Sequence, residues 1–224
     1  MSAAKEILPY LNRYYFTPYP FGKLDIVAVP DFAAGAMENT GAIFYRETDL
    51  LLNPDTASVA QTKRVWGVVA HEMAHQWFGD LVTMTWWNDL WLNESFATYM
   101  SYLCLDEATR FTSGWQDFAS SIKNWAYRQD QLVTTHPIAG DVPDTDATFL
   151  NFDGITYGKG GAVLKQLGAR LGRAGLSAGL HTYFDRHSYG NATLDDFLDA
   201  LEAGSGVPLG DWSNQWLRTS GPNR

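Results

Sequence analysis

The stretch His71-Glu72-Met73-Ala74-His75-Gln76-Trp77-Phe78-Gly79-Asp80, followed by Trp91-Leu92-Asn93-Glu94, decides how this chain is read. Two histidines four residues apart on a helix lie within about 40° of each other around its axis, so both imidazoles can reach one metal ion. Glu94, nineteen residues after His75, is the third candidate ligand. With five histidines in 224 residues, an H-E-x-x-H run arises by chance in about 0.3% of shuffled chains.

The apolar pattern around these residues agrees. Val68, His71, His75 and Phe78 fall on one helical stripe, and Leu90, Trp91, Glu94, Ala97 and Thr98 on another. Polar groups thus occupy positions where core side chains belong, which is costly unless they are paired or bind a metal. A zinc ion shared by His71, His75 and Glu94 removes that cost. Three protein ligands leave a fourth position for a water molecule, whose pKa falls toward about 7. Glu72, one step round the helix, is placed to take the water's proton and return it to a leaving amine.

Three blocks in this order, Gly35-Ala36-Met37-Glu38-Asn39, HEMAHQWFGD at 71–80 and WWNDLWLNESFATYM at 86–100, give a chain that resembles the M1 family of zinc aminopeptidases. The similarity continues through Tyr157-Gly158-Lys159-Gly160 to Trp216-Leu217. It implies an α+β fold of the thermolysin-like kind, with a small β-sheet lobe, a mostly helical lobe and a cleft between them. It also implies one Zn2+ per chain and peptide substrates with a free N-terminus, hydrolysed at the first peptide bond by a zinc-bound water. In the same way it implies residue roles. Tyr157 resembles the tyrosine that hydrogen-bonds the oxyanion, and Glu38 the carboxylate that binds the substrate's α-ammonium. Gly35, Ala36, Met37 and Asn39 complete the substrate-binding motif, whose backbone can take the peptide as an added strand, with Gly35 allowing close approach.

The resemblance is to the catalytic domain alone. Residues 1–224 are expected to form one such domain, without the β-rich domain that precedes it in the family or the helical domain that follows. Because the exopeptidase motif begins as early as residue 35, an early strand of the sheet is expected to be missing, leaving an open edge. The family's N-terminal domain also contributes to the ammonium site, so weak affinity and broad preference are expected. The alternative reading is a folded zinc-binding fragment with little activity without its partner domains. A lipid epoxide hydrolase on the same scaffold is disfavoured by Ala36, where that branch carries glycine.

Composition bounds the rest. A content of 46% hydrophobic and 14% aromatic residues is ample for one core. The net charge of −9, with no Lys/Arg cluster, argues against nucleic acid or an anionic membrane as partner. Cys104 has no second cysteine to pair with and reads as core filling. There is no apolar run long enough to span a membrane and no signal-peptide pattern, which points to the cytoplasm.

Along the chain, the pattern predicts a helix over 3–16 broken by Pro18 and Pro20, then strands over 23–29 and 41–46. A helix over 57–78 closes near Gly79, and Asn88 is expected to cap the helix carrying Glu94. A loop of about fifteen residues surrounds Pro137 and Pro143, and helices follow near 157–172, 194–203 and 212–218. The Gly154–Gly161 run lacks both the spacing and the hydroxyl of a phosphate loop. His136, His181 and His187 have no metal-ligand spacing and read as structural. Asp89 reads as a helix cap, with orientation of a zinc-binding histidine as the alternative.

Overall fold

Ile7, Leu11, Tyr14 and Tyr15 recur at helical spacing and are all buried, which seats α1 (Ser2–Tyr15) on the core of a computed structural model that describes residues 2–222. The chain then forms β1 (Asp25–Val29), β2 (Ala36–Met37) and β3 (Ala42–Arg46). They make one mixed sheet in the order β1-β3-β2, with β1 parallel and β2 antiparallel to β3. Ile43 and Tyr45 are buried while Phe44 between them is exposed, the period-two signature of a sheet with one covered face. Strand β2 lies at one end of the sheet, with a free edge.

From here the chain is mostly helical: α2 (Glu47–Leu50), α3 (Val59–His75), a short β4 (Val82–Met84) and α4 (Leu90–Ala108). Ser58 opens α3 with a reciprocal capping box to Gln61. Next come α5 (Gly114–Asp117), α6 (Lys123–Gln129) and α7 (Thr145–Leu150), then a widened π-type turn over Ile155–Lys159 that leads into α8 (Gly160–His187). Gly172 (φ 71°, ψ 160°) interrupts α8. Strand β5 (Gly190–Ala192) runs parallel to β4, and α9 (Leu194–Ser205) and α10 (Gly210–Trp216) complete the fold. The architecture is α+β, as expected, with a small sheet against a helical lobe.

Aromatic packing joins the α3 end to the helical lobe. Phe78 stacks on Phe96 of α4 at 3.8 Å between ring centroids and meets Phe184 of α8 at 4.9 Å and Phe197 of α9 at 6.2 Å. The functional stripe of α3 therefore rests on a rigid base. Cys104 is fully buried in this core, as expected.

Several elements differ from expectation. Asn88 does not cap α4. Asp89 occupies the cap position but its side chain does not cap the helix's backbone; its Oδ2 accepts the Leu194 N–H at 3.0 Å, at the start of α9. Helix α3 ends at His75 rather than near 78, and Gly79 (φ 126°) turns the chain back toward β4. The expected loop of about fifteen residues around Pro137 and Pro143 is present over 130–144 and ends at α7, whose Asp144 cap accepts the Ala147 N–H at 2.8 Å. No helix among the described residues is long and apolar enough to cross a membrane.

Candidate active site

Helix α3 delivers His71, Glu72 and His75, and α4 delivers Glu94; the two helices pack side by side. His71 Nε2 and His75 Nε2 are 3.0 Å apart, and Glu94 Oε2 lies 3.2 Å from the first and 3.4 Å from the second. A tetrahedral zinc with N and O ligands at its usual bond lengths has ligand-to-ligand edges of about 3.3 Å. The three donor atoms therefore already form one face of such a tetrahedron, and the donor set fits zinc. His75 Nδ1 donates toward Asn93 Oδ1 at 2.9 Å and the Phe78 carbonyl at 3.1 Å, which leaves Nε2 available to a metal ion.

Asn93 was quoted in the sequence without a role, and it is reached only because Gly79 lacks a side chain. A Cβ at Gly79 would fall on Asn93 Oδ1, and its φ of 126° excludes other residues independently. Asp89 does not take up its alternative reading, since its carboxylate bonds Leu194 while Asn93 holds the His75 ring.

Charge within the site is unbalanced. Burial raises the Glu72 carboxyl to about 7, against the pull of the His71 and His75 rings. Burial also opposes the charge on Glu94, yet His75 and His71 outweigh it and hold that carboxyl well below the ordinary range. Burial works against a charged His75 as well, but the carboxylates of Glu38 and Glu94 prevail and raise its pKa. Glu38, Glu72 and His75 bring ligand atoms within 4.8 Å of one another, as do His71, His75 and Glu94. So many carboxylates round two imidazoles create a local demand for positive charge that a divalent cation meets.

Gly35 to Asn39 run along the cleft beside this cluster, with Ala36 and Met37 forming β2. Glu38 places Oε1 3.9 Å from His75 Nδ1. Its backbone is held by Gln76, a fully buried side chain. Gln76 Nε2 donates to the Glu38 carbonyl at 2.8 Å and to Asp80 Oδ2 at 2.9 Å, while its Oε1 accepts the Gly41 N–H at 3.0 Å and the Tyr19 hydroxyl at 3.2 Å. Asp80 is raised to about 7 by burial first and by the Glu38 charge second. Sequence reasoning missed the clamp formed by Gln76, because a glutamine after a histidine carries no pattern of its own.

Tyr157 closes the opposite wall. Its ring stacks toward His71 at 6.0 Å and Trp125 at 6.3 Å between centroids. Burial, reinforced by the Glu94 carboxylate, raises its hydroxyl pKa, so the phenol remains a hydrogen-bond donor. The glycines after it are packing devices. A Cβ at Gly158 would stand 2.8 Å from the Ile122 carbonyl oxygen and 2.9 Å from Ala126 Cβ, and one at Gly160 would collide with Ser95. Lys159 between them turns inward to Asp130 Oδ2 at 3.0 Å. The candidate residues Gly35 to Asn39, His71, Glu72, His75, Glu94 and Tyr157 all line one cleft of about 870 Å³. His136, read as structural, pairs instead with Asp153 at 3.0 Å.

The chain matches the Peptidase family M1 domain over residues 1–216. It is 50% identical over 207 residues to an aminopeptidase N of Streptomyces lividans, covering 92% of this chain and 24% of that protein. It is 44% identical over 221 residues to a probable aminopeptidase 2 of Sulfurisphaera tokodaii, covering 99% and 28%. With the Tricorn protease-interacting factor F2 of Thermoplasma volcanium the identity is 43% over 218 residues, covering 97% and 28%. The chain spans about a quarter of the length of these curated relatives. A match across nearly all of its residues means that the chain belongs to peptidase family M1.

Proposed function

We propose that residues 2–222 act as the catalytic domain of a zinc aminopeptidase that removes the first residue of peptides. The observation that carries this reading is the triangle of His71 Nε2, His75 Nε2 and Glu94 Oε2, with Glu38 beside it at the end of the cleft. Zinc, held by those three residues, supplies the Lewis acidity that activates water and polarises the scissile carbonyl. Glu72 accepts the water's proton and passes it to the departing amine, a task suited to a carboxyl near pKa 7. Tyr157 donates its phenolic hydrogen bond to the oxyanion as charge develops there. Glu38 binds the α-ammonium, and its place at the end of β2 stops the peptide from extending further. Ala36 and Met37 present a free strand edge to the substrate backbone, flanked by Gly35 and Asn39.

A second reading is a folded metal-binding domain with little turnover on its own. Phe149 and Leu150 favour it, since they stand 74% and 79% exposed at and beside the cleft, where apolar surface is ordinarily covered. Hydrolysis of alanyl-, leucyl- and arginyl-aminocoumarin by zinc-replete protein separates the two. The expected result is fluorophore release by the wild type and a loss of about 10²–10⁴-fold in Glu72→Ala at unchanged metal content. Silence from both proteins, with one zinc bound per chain, would establish the second reading.

A further inference from the structure

Consecutive residues of a helix project about 100° apart, so Glu94 and Ser95 of α4 serve different neighbours. Glu94 meets His71 and His75. Ser95, fully buried, meets the widened turn that carries Tyr157, where its hydroxyl donates to the Thr156 carbonyl at 2.5 Å. A serine within a helix ordinarily bonds a carbonyl three or four residues back in its own helix. Ser101 of α4 does so, to Thr98. Ser95 instead reaches a partner 61 residues away.

The surrounding chain is shaped to this approach. A Cβ at Gly160 would stand 2.0 Å from Ser95 Oγ and 2.8 Å from Ser95 Cβ, so the turn settles on Ser95 only because that position is glycine. Asp153 Oδ1 accepts the Ile155 N–H at 2.9 Å and the Thr156 N–H at 3.1 Å, and its carbonyl accepts the Tyr157 N–H at 3.0 Å. Those bonds are local and fix the shape of the turn. Gln129 and Asp130, at the end of α6, bond Gly154 and Lys159 and hold its two ends. Ser95 ties its middle to α4, the helix that carries Glu94.

We infer that Ser95 is a positioning residue, whose hydrogen bond to Thr156 holds the Tyr157 phenol in register with the cluster of His71, His75 and Glu94. The link joins immediate neighbours, from the residue after Glu94 to the residue before Tyr157. A phenol that donates to an oxyanion and a cluster that polarises the same carbonyl must keep a fixed separation, and an error of about 1 Å costs up to about 10²-fold in rate. The inference rests on the aminopeptidase reading for the task of the phenol, not for its placement.

Two measurements test placement and task separately. Fluorotyrosine introduced at position 157 alone gives a fluorine NMR resonance that reads the surroundings of the ring with or without turnover. Ser95→Ala, which removes the hydroxyl and adds no bulk, is expected to shift or split that resonance. Ser177→Ala removes a comparably buried link, from α8 to the Tyr14 carbonyl, and is expected to leave it in place. In zinc-loaded protein acting on aminoacyl-coumarins, Ser95→Ala is expected to lower kcat about tenfold with KM within about twofold, and to cost nothing further in a Tyr157→Phe background. An unmoved resonance, equal shifts in the two serine variants, or a kcat loss that persists in full beside Tyr157→Phe would overturn the inference. A wild type silent toward the coumarins counts against the aminopeptidase reading instead, and the resonance still decides the placement.

Discussion

Gln76 Nε2 donates to the backbone carbonyl of Glu38 at 2.8 Å, so the end of the helix that carries His71 and His75 directly holds the loop that carries Glu38, the carboxylate proposed to bind the substrate ammonium. The same amide accepts from Gly41 on the far side of that loop. Only a side chain that both donates and accepts at this length can do this, which makes Gln76 the joint between the metal cluster and the exopeptidase motif.

Gln76→Leu keeps the volume and removes the joint. The Glu38 carbonyl, the Gly41 N–H and the Asp80 carboxyl then lose a partner, at a cost of about 3 kcal/mol. Thermal denaturation should show a Tm lower by about 10 °C, and KM for aminoacyl substrates should rise more than kcat falls. An unchanged KM in a folded variant would show that Glu38 does not depend on this clamp.

Gly158→Ala should displace the wall that carries Tyr157. The added methyl meets the Ile122 carbonyl at 2.8 Å, a backbone atom that can move only with the chain around it. A loss of about 1–3 kcal/mol is expected, with kcat reduced because the neighbouring phenol shifts. Gly210→Ala, at a position with nothing within 4 Å, is the control and should be neutral or slightly stabilising. Equal Tm values for the two variants would contradict this account.

Metal removal should loosen the contact between α3 and α4, because His71 and His75 on one helix and Glu94 on the other share the cluster. With free zinc about a thousandfold above its dissociation constant, the bound form gains about 4 kcal/mol. Calorimetry should therefore show a lower Tm after chelation, restored by zinc. No change after removal verified by elemental analysis would sink this prediction.

His136 sets a pH dependence of stability separate from the cleft. The Asp153 carboxylate, hydrogen-bonded to the ring, raises its pKa above the ordinary 6.5, outweighing burial. The folded state thus binds more protons than the unfolded state, and stability falls as pH rises. The contribution is complete below 6.5 and disappears as pH climbs through the higher folded-state value. As the pair is partly solvated, it is worth less than about 1 kcal/mol. Urea unfolding across this window should show the slope in the wild type and a flatter profile in His136→Gln; parallel profiles would rule the pair out.

The candidate metal cluster of His71, His75 and Glu94 was legible in the sequence because its information is local. The spacing of His71 and His75 is a property of any helix, and the polar residues on two apolar stripes marked which helices those were. The strands expected over 23–29 and 41–46 correspond to β1 and β3, and the amphipathic period marked α9 and α10. The short strands β2, β4 and β5 were not legible, since two or three residues carry no period and pair only because distant segments converge. Helices α5 to α7 and the second half of α8 were likewise hidden, with Gly172 breaking the pattern.

What the tertiary structure alone decided is which polar groups meet. Asp89 serves the start of α9 rather than its own helix, because the fold brings Leu194 to it from 105 residues away. Asn93 orients His75 because Gly79 leaves it room, and Gln76 reaches Glu38 across 38 residues of chain. Each is a contact between segments that share no period, made only once the hydrophobic core has set their distance. Helix geometry thus places the candidate ligand atoms within the range of sequence reading, while the hydrogen bonds around them depend on packing that no local pattern encodes.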